Sequence, residues 1–261
     1  YNYVFKANVK TDQAIIIPEN ATFDQVVDSL QANDVLINYK AFRWVSKKKN
    51  YPDVIKPGRY LFRKGMNTNQ IVNNLRGGIQ KPLDVTFNNV RFKEDLAGKV
   101  SNYIQADSLS ILALFENDSL ISAWEFTPET FKAMFIPNTY EFYWTTSAKE
   151  FAERMKTEYE RFWDGSRRQK AEEIEMSPVE VTILASIVQA ETSKPEELPR
   201  VAGLYINRLQ RGIPLQADPT VKFAVGDFTL KRILNKHLEI DSPYNTYKNA
   251  GLPPGPINFP E

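Results

Sequence analysis

Residues 177–191 fix more of the fold than any other stretch of the chain. Ser177 and Glu180 have the spacing of a capping box, and Pro178 falls at the first helical position, where its missing N–H costs nothing. The apolar residues that follow, Ile183, Leu184, Ile187 and Val188, give a helix with a buried stripe. Residues 183, 187 and 191 are spaced i, i+4, i+8, so Glu191 continues the face that Ile183 and Ile187 bury. A carboxyl beside a core is costly unless it is paired, hydrogen-bonded or protonated, and a protonated carboxyl near neutral pH is what a general acid requires. The spacing equally allows a solvated glutamate at a fraying helix end.

The chain of 261 residues carries 33 Lys and Arg against 32 Asp and Glu, a formal charge of +1. That balance does not point to nucleic acid or to an anionic membrane surface. Lys47-Lys48-Lys49 and Arg167-Arg168 read as short solvated runs. The absence of cysteine excludes disulfides and thiolate metal sites. No window approaches the roughly 20 apolar residues of a membrane span. No metal-ligand spacing or glycine-rich phosphate loop occurs, and the single histidine, His237, has no ligand-like neighbours and reads as structural or surface.

The first third contains a repeat. Gln25–Leu30 aligns with Gln70–Leu75, 45 residues later, and each copy follows a strand-like run, at 14–17 and 59–62. A weaker third copy pairs 84–87 with 94–104. Two strand–turn–helix units imply a small α+β module. Beyond Pro82 the pattern becomes helical, with helices predicted over 93–105, 109–117, 128–135, 148–164, 166–175, 199–211 and 228–237. Residues 213–221, with two prolines, are predicted extended, and 241–261 is predicted to be loop. The aromatic cluster Phe142-Tyr143-Trp144 fits either a sugar cleft or a core.

Several blocks then occur in a recognisable order. The segment Ala185-Ser186-Ile187-Val188-Gln189-Ala190-Glu191-Thr192 resembles the catalytic helix of the MltG (YceG-like) family of endolytic peptidoglycan transglycosylases. Val201–Leu209, Pro214–Val221, Ser242–Tyr247 and Gly251–Ile257 are similar to the family's later motifs, and Ile136–Phe142 to an upstream one. Two departures are Asn138, where an Asp is usual, and Gln189, where many members carry Glu.

The resemblance implies an α+β chain in two parts. Residues 1–83 would form an N-terminal module with a LysM-like part at about 57–78, and 84–261 a mostly helical catalytic domain of lytic-transglycosylase type. Tyr60 and Phe62 could then stack on sugars or fill the module's own core. The family usually has an N-terminal membrane anchor and a longer C-terminal tail, so the chain is expected to be the extracytoplasmic part of a protein of the bacterial inner membrane, cut at both ends. Its implied partners are peptidoglycan strands and the cell-wall synthesis machinery, and no cofactor is implied.

Glu191 is the implied catalytic acid, and Asn207, Gln216, Asp218, Thr220, Tyr244, Asn245 and Tyr247 are the candidates to hold the sugar. Amides and hydroxyls can both donate to and accept from a glycan. Glu191, Asn207, Gln216 and Tyr244 are expected to face one concave surface. Asp218 is the best second carboxylate, although an Asp-Pro pair also favours a turn. A lysozyme-like hydrolase using Glu191 with Asp218, and a glycan-binding scaffold without catalysis, are the competing readings.

Overall fold

The computed structural model describes residues 2–261. The chain opens with a one-turn helix α1 (Asn2–Phe5), followed by β1 (Gln13–Ile17), α2 (Phe23–Ala32), α3 (Tyr39–Lys48), β2 (Gly58–Phe62) and α4 (Thr68–Gly77). After these come β3 (Leu83–Phe87), α5 (Lys93–Ser101), α6 (Ser108–Ala113), α7 (Asp118–Ala123) and β4 (Asn138–Phe142). The rest is helical: α8 (Ala148–Phe162), α9 (Gly165–Glu173), α10 (Pro178–Glu191), α11 (Leu198–Gln210), α12 (Asp218–Val225) and α13 (Asn235–Leu238). This is an α+β chain with two small two-stranded sheets, β1–β2 and β3–β4.

Two compact units are present. The first comprises the chain up to Val85 together with Tyr103–Gln105 and Tyr140–Thr146; the second holds the remainder. In the first, β1 and β2 pair antiparallel, with Ile15 opposite Tyr60 and Ile17 opposite Gly58. The repeat explains the packing. Helices α2 and α4 each start with a complete capping box, Thr22 with Gln25 and Asn67 with Gln70, and each buries the same register: Val26, Val27 and Leu30 in one, Ile71, Val72 and Leu75 in the other. Tyr60 and Phe62 are both 1% exposed, so they belong to this core and present no face to a sugar. Between the copies lies α3, which the repeat does not foretell. Asn38 caps it, and it buries Ala41, Phe42 and Val45.

The second unit has two apolar centres. One is aromatic: Phe135 stacks on Phe115 at 4.9 Å and meets Phe131 edge-on at 5.3 Å. The other surrounds α10 and gathers Leu184, Ile187, Tyr205, Leu215, Ala217 and Ile257. Some predicted helices shorten. Residues 128–135 supply only a 3₁₀ turn at Phe131–Met134, and 228–237 yields only α13. In the opposite direction, 213–221 is not extended throughout, because α12 begins at Asp218. Pro219 occupies its first turn, where proline fits, and the preceding segment bends at Gln216, whose φ is 54°.

Candidate active site

Helix α10 begins as the sequence dictates. The Ser177 hydroxyl accepts from the Glu180 N–H at 3.3 Å, and the Glu180 carboxylate accepts from the Ser177 N–H at 2.7 Å. Ile183 and Ile187 are buried, but Glu191 is exposed. The helix ends at Glu191 and Thr192 turns to extended backbone, so the third member of the i, i+4, i+8 series stands past the core instead of beside it. The following turn is latched. The Thr192 hydroxyl donates to Glu197 at 2.7 Å and the Lys194 ammonium pairs with Glu197 at 3.0 Å. These two bonds, the hydroxyl's first, hold the Glu197 carboxyl below its usual pKa.

Helix α11 brings a tyrosine to this glutamate. The Tyr205 hydroxyl donates to Glu191 Oε2 at 3.2 Å, and the Tyr205 ring is 4% exposed. Burial first, and the Glu191 charge second, push the phenol far above its ordinary pKa, which keeps it a proton-bearing donor. One turn on, Arg208 donates to the carbonyls of Pro214 at 3.1 Å and Leu215 at 2.8 Å and to the Gln216 side chain at 3.2 Å. The guanidinium thereby fixes the loop in which Gln216 takes a left-handed φ of 54°, a conformation costly for a residue with a side chain.

A second carboxylate sits nearby. Asp218 accepts from the Tyr247 hydroxyl at 2.7 Å. Burial, the bond to Asp218 and the charges of Asp218 and Glu191 push the Tyr247 phenol up to about 12. The two carboxylates therefore act on one tyrosine, and Glu191, Tyr205, Asp218 and Tyr247 form one constellation. Glu191 and Asp218 both line a cleft of about 780 Å³. Its walls include Phe92, Phe223 and Phe228, with Phe92 and Phe228 edge-on at 5.0 Å.

The remaining residues predicted for the site are placed differently. Thr220 is fully buried; its hydroxyl bonds the Ala217 carbonyl at 2.7 Å and the Thr246 hydroxyl at 2.8 Å. Asn245 is fully buried too, donating to the carbonyls of Leu238 and Ile240 and accepting from the Tyr247 N–H. Both are scaffold beneath the constellation. Asn207 is exposed, and its side chain makes no hydrogen bond among the described residues. Gln216 is held by Arg208, and Tyr244 packs its ring 4.7 Å from Phe223. Asn207, Gln216 and Tyr244 are absent from the walls of the cleft that holds Glu191, although Gln216 reaches the constellation's edge through Arg208.

Tyr205, Arg208, Lys222 and Phe223 join the site without being among the residues expected there. A helical wheel could have found the first two. Residues 205 and 208 share a face that 207 does not, because each step along a helix turns about 100°. Lys222 and Phe223 follow Asp218 and Pro219 at i+4 on α12, a face hidden by reading that segment as extended. Gln189, also in the cleft wall, accepts from the Glu261 N–H at 2.7 Å. Asn138 turns its carboxamide back to accept from the Thr139 N–H. His237 accepts the Leu234 N–H at its Nδ1, a local structural bond. Among the described residues, no three His, Cys, Asp or Glu side chains cluster as metal ligands do.

Similarity to known proteins points the same way as the motifs. The chain is 28% identical to an endolytic murein transglycosylase of Bacillus subtilis, over 95% of this chain and 72% of that protein. It is 25% identical to the endolytic murein transglycosylase of Streptococcus pneumoniae over 97% of its own residues, and spans about half (51%) of that relative's length. A crystal structure of a yceG-like protein from Listeria monocytogenes, 28% identical, superposes with a TM-score of 0.57 over 94% of this chain and 86% of that one. Residues 15–261 match the YceG-like family, and the chain belongs to it.

Proposed function

We propose that the chain is an endolytic murein transglycosylase that cuts peptidoglycan strands between N-acetylmuramic acid and N-acetylglucosamine. Family membership and the named relatives support the activity. The observation that carries the mechanism is the bond from buried Tyr205 to Glu191 at the open end of a buried helix, in the wall of a cleft. Glu191 protonates the glycosidic oxygen that leaves with N-acetylglucosamine. As a carboxylate it then accepts the proton of the muramic C6 hydroxyl, whose oxygen closes on C1 and leaves a 1,6-anhydro end. The nucleophile belongs to the substrate, so ring closure is effectively unimolecular and one enzyme carboxylate serves both steps. Tyr205 orients that carboxylate, and the Asp218–Tyr247 pair positions the sugar.

In this reading residues 84–261 supply catalysis and the N-terminal residues an accessory glycan-binding, LysM-like module. With Tyr60 and Phe62 buried, that module would bind through surfaces other than these rings. The chain would work on the outer side of the cytoplasmic membrane, where its substrate is assembled, beside the cell-wall synthesis machinery. No helix among the described residues is long and apolar enough to cross a membrane.

Because Asp218 shares the cleft, a hydrolase with two enzyme carboxylates is the second reading. Mass analysis of products from purified strands separates the two. Glu191→Gln is expected to abolish cleavage, a loss of at least about 10²–10⁴ in rate, with the fold intact. Asp218→Asn is expected to weaken binding and leave the products anhydro-ended. Cleavage by Glu191→Gln at the original rate would end the proposal. Reducing ends from the unaltered protein would replace it with the hydrolase.

A further inference from the structure

Four cations line the same cleft: Arg91 before α5, Lys222 on α12, and Lys231 and Arg232 in the segment after it. None has an ion-pair partner within 4.0 Å among the described residues, although the chain carries 32 Asp and Glu. Arg91 lies over the Phe228 ring at 4.5 Å, and Lys222 is near Asp227 without pairing with it, the Asp227 carboxyl being held low first by the Thr229 hydroxyl and N–H and only then by the Lys222 charge. The carboxylates of the cleft wall take neutral donors instead: Glu191 the Tyr205 hydroxyl, Asp218 the Tyr247 hydroxyl, and Asp95 the Phe92 N–H at 3.0 Å. Positive charge gathered in a concave wall focuses its field into the cleft and attracts an anion.

The glycan backbone of the proposed substrate is uncharged. Its negative charge is carried by carboxylates on the lactyl arm of the muramic residue or on the peptide attached to that arm. We propose that Arg91, Lys222, Lys231 and Arg232 form a specificity subsite that binds these carboxylates while the aromatic wall takes the sugar. Ammonium and guanidinium groups suit carboxylates through charge-assisted hydrogen bonds. The inference rests on the transglycosylase reading for the identity of the strand, and it goes beyond that reading by selecting strands by charge.

Binding tests it without turnover. Lipid-free, end-labelled strands are titrated into the full chain carrying Glu191→Gln, in three forms: peptide-bearing, denuded to the free lactyl carboxylate, and peptide-bearing with every carboxylate converted to a methylamide. At least one charged form is expected to bind roughly tenfold tighter than the methylamide, with an affinity that falls as salt rises. The form that does so tells which carboxylate is held. Adding Lys231→Gln and Arg232→Gln, both exposed, is expected to weaken that charged form roughly fivefold and leave the methylamide unchanged. Equal affinity for all three forms, no binding of any, or a salt dependence unaltered by the double change would overturn the subsite. Failure of the unaltered chain to cleave, with the binding contrast retained, would overturn the transglycosylase reading instead and leave the subsite standing.

Discussion

At the residue scale, the hydroxyl of Tyr205 matters more than its ring to the chemistry, and the ring more than its hydroxyl to the fold. The ring is buried in the cluster with Leu184, Ile187 and Leu215, and only the oxygen reaches Glu191. Tyr205→Phe keeps the buried surface and removes one bond to an exposed carboxylate, which water can replace in the ground state. Cleavage is expected to fall roughly 10- to 100-fold in kcat, with the melting temperature nearly unchanged. A variant that cleaves at the original rate would show that Glu191 needs no such orienting bond. Glu191 is singled out by the resemblance of the motif around it, while helix spacing alone leaves it either beside the core or solvated at the helix end. The structure has the solvated placement, because the helix stops at Glu191 and periodicity says which face a residue continues but not where the helix ends. Asn207 shows the converse. A polar residue inside a motif is an attractive candidate, yet the geometry of α11 gives the contact to its neighbours Tyr205 and Arg208.

At the element scale, the late loop is a structural part of the site. Ser186, fully buried in α10, accepts the Ile257 N–H at its hydroxyl, and its carbonyl accepts the Asn258 carboxamide at 2.9 Å. Lys132 donates to the Pro256 carbonyl at 3.2 Å from the 3₁₀ turn. Gly255 immediately precedes these anchors, and a Cβ there would meet the Glu129 carbonyl oxygen at 2.1 Å. That atom is backbone, so the clash cannot be relieved by a rotamer change. Gly255→Ala is expected to destabilise the protein by about 1–3 kcal/mol and to lower cleavage together with it, measured by denaturant unfolding and product yield. Unchanged stability would mean that the loop moves freely from Glu129. Its prolines mark this stretch as loop; the pairing of Gly255 with Glu129, 126 residues away in sequence, is a tertiary fact that no local pattern carries. The capping boxes of α2, α4 and α10 were legible for the opposite reason, since each is closed by residues three apart.

At the scale of the whole molecule, the near-zero formal charge conceals how unevenly ionisable groups are placed. Burial raises the phenols of Tyr60 and Tyr159 to about 12, and Tyr51 further still. Burial lowers the Lys132 ammonium to about 8, against a smaller opposing effect of Glu94. These shifts act in opposite directions on stability. Between pH 8 and about 10.5, Lys132 is neutral when folded and charged when unfolded, so the unfolded chain binds more protons and stability rises with pH. Above pH 10 the tyrosines of the unfolded chain ionise while Tyr60 and Tyr159 remain protonated to about 12, so the folded chain binds more protons and stability falls. Each proton of difference contributes at most about 1.4 kcal/mol per pH unit. Guanidinium midpoints followed by tryptophan fluorescence are expected to climb modestly from pH 8 to 10 and then to drop steeply. Lys132→Met should flatten the climb and leave the drop in place. A midpoint that declines steadily from pH 8, and does so identically in the variant, would show that Lys132 is solvated and keeps its charge on folding.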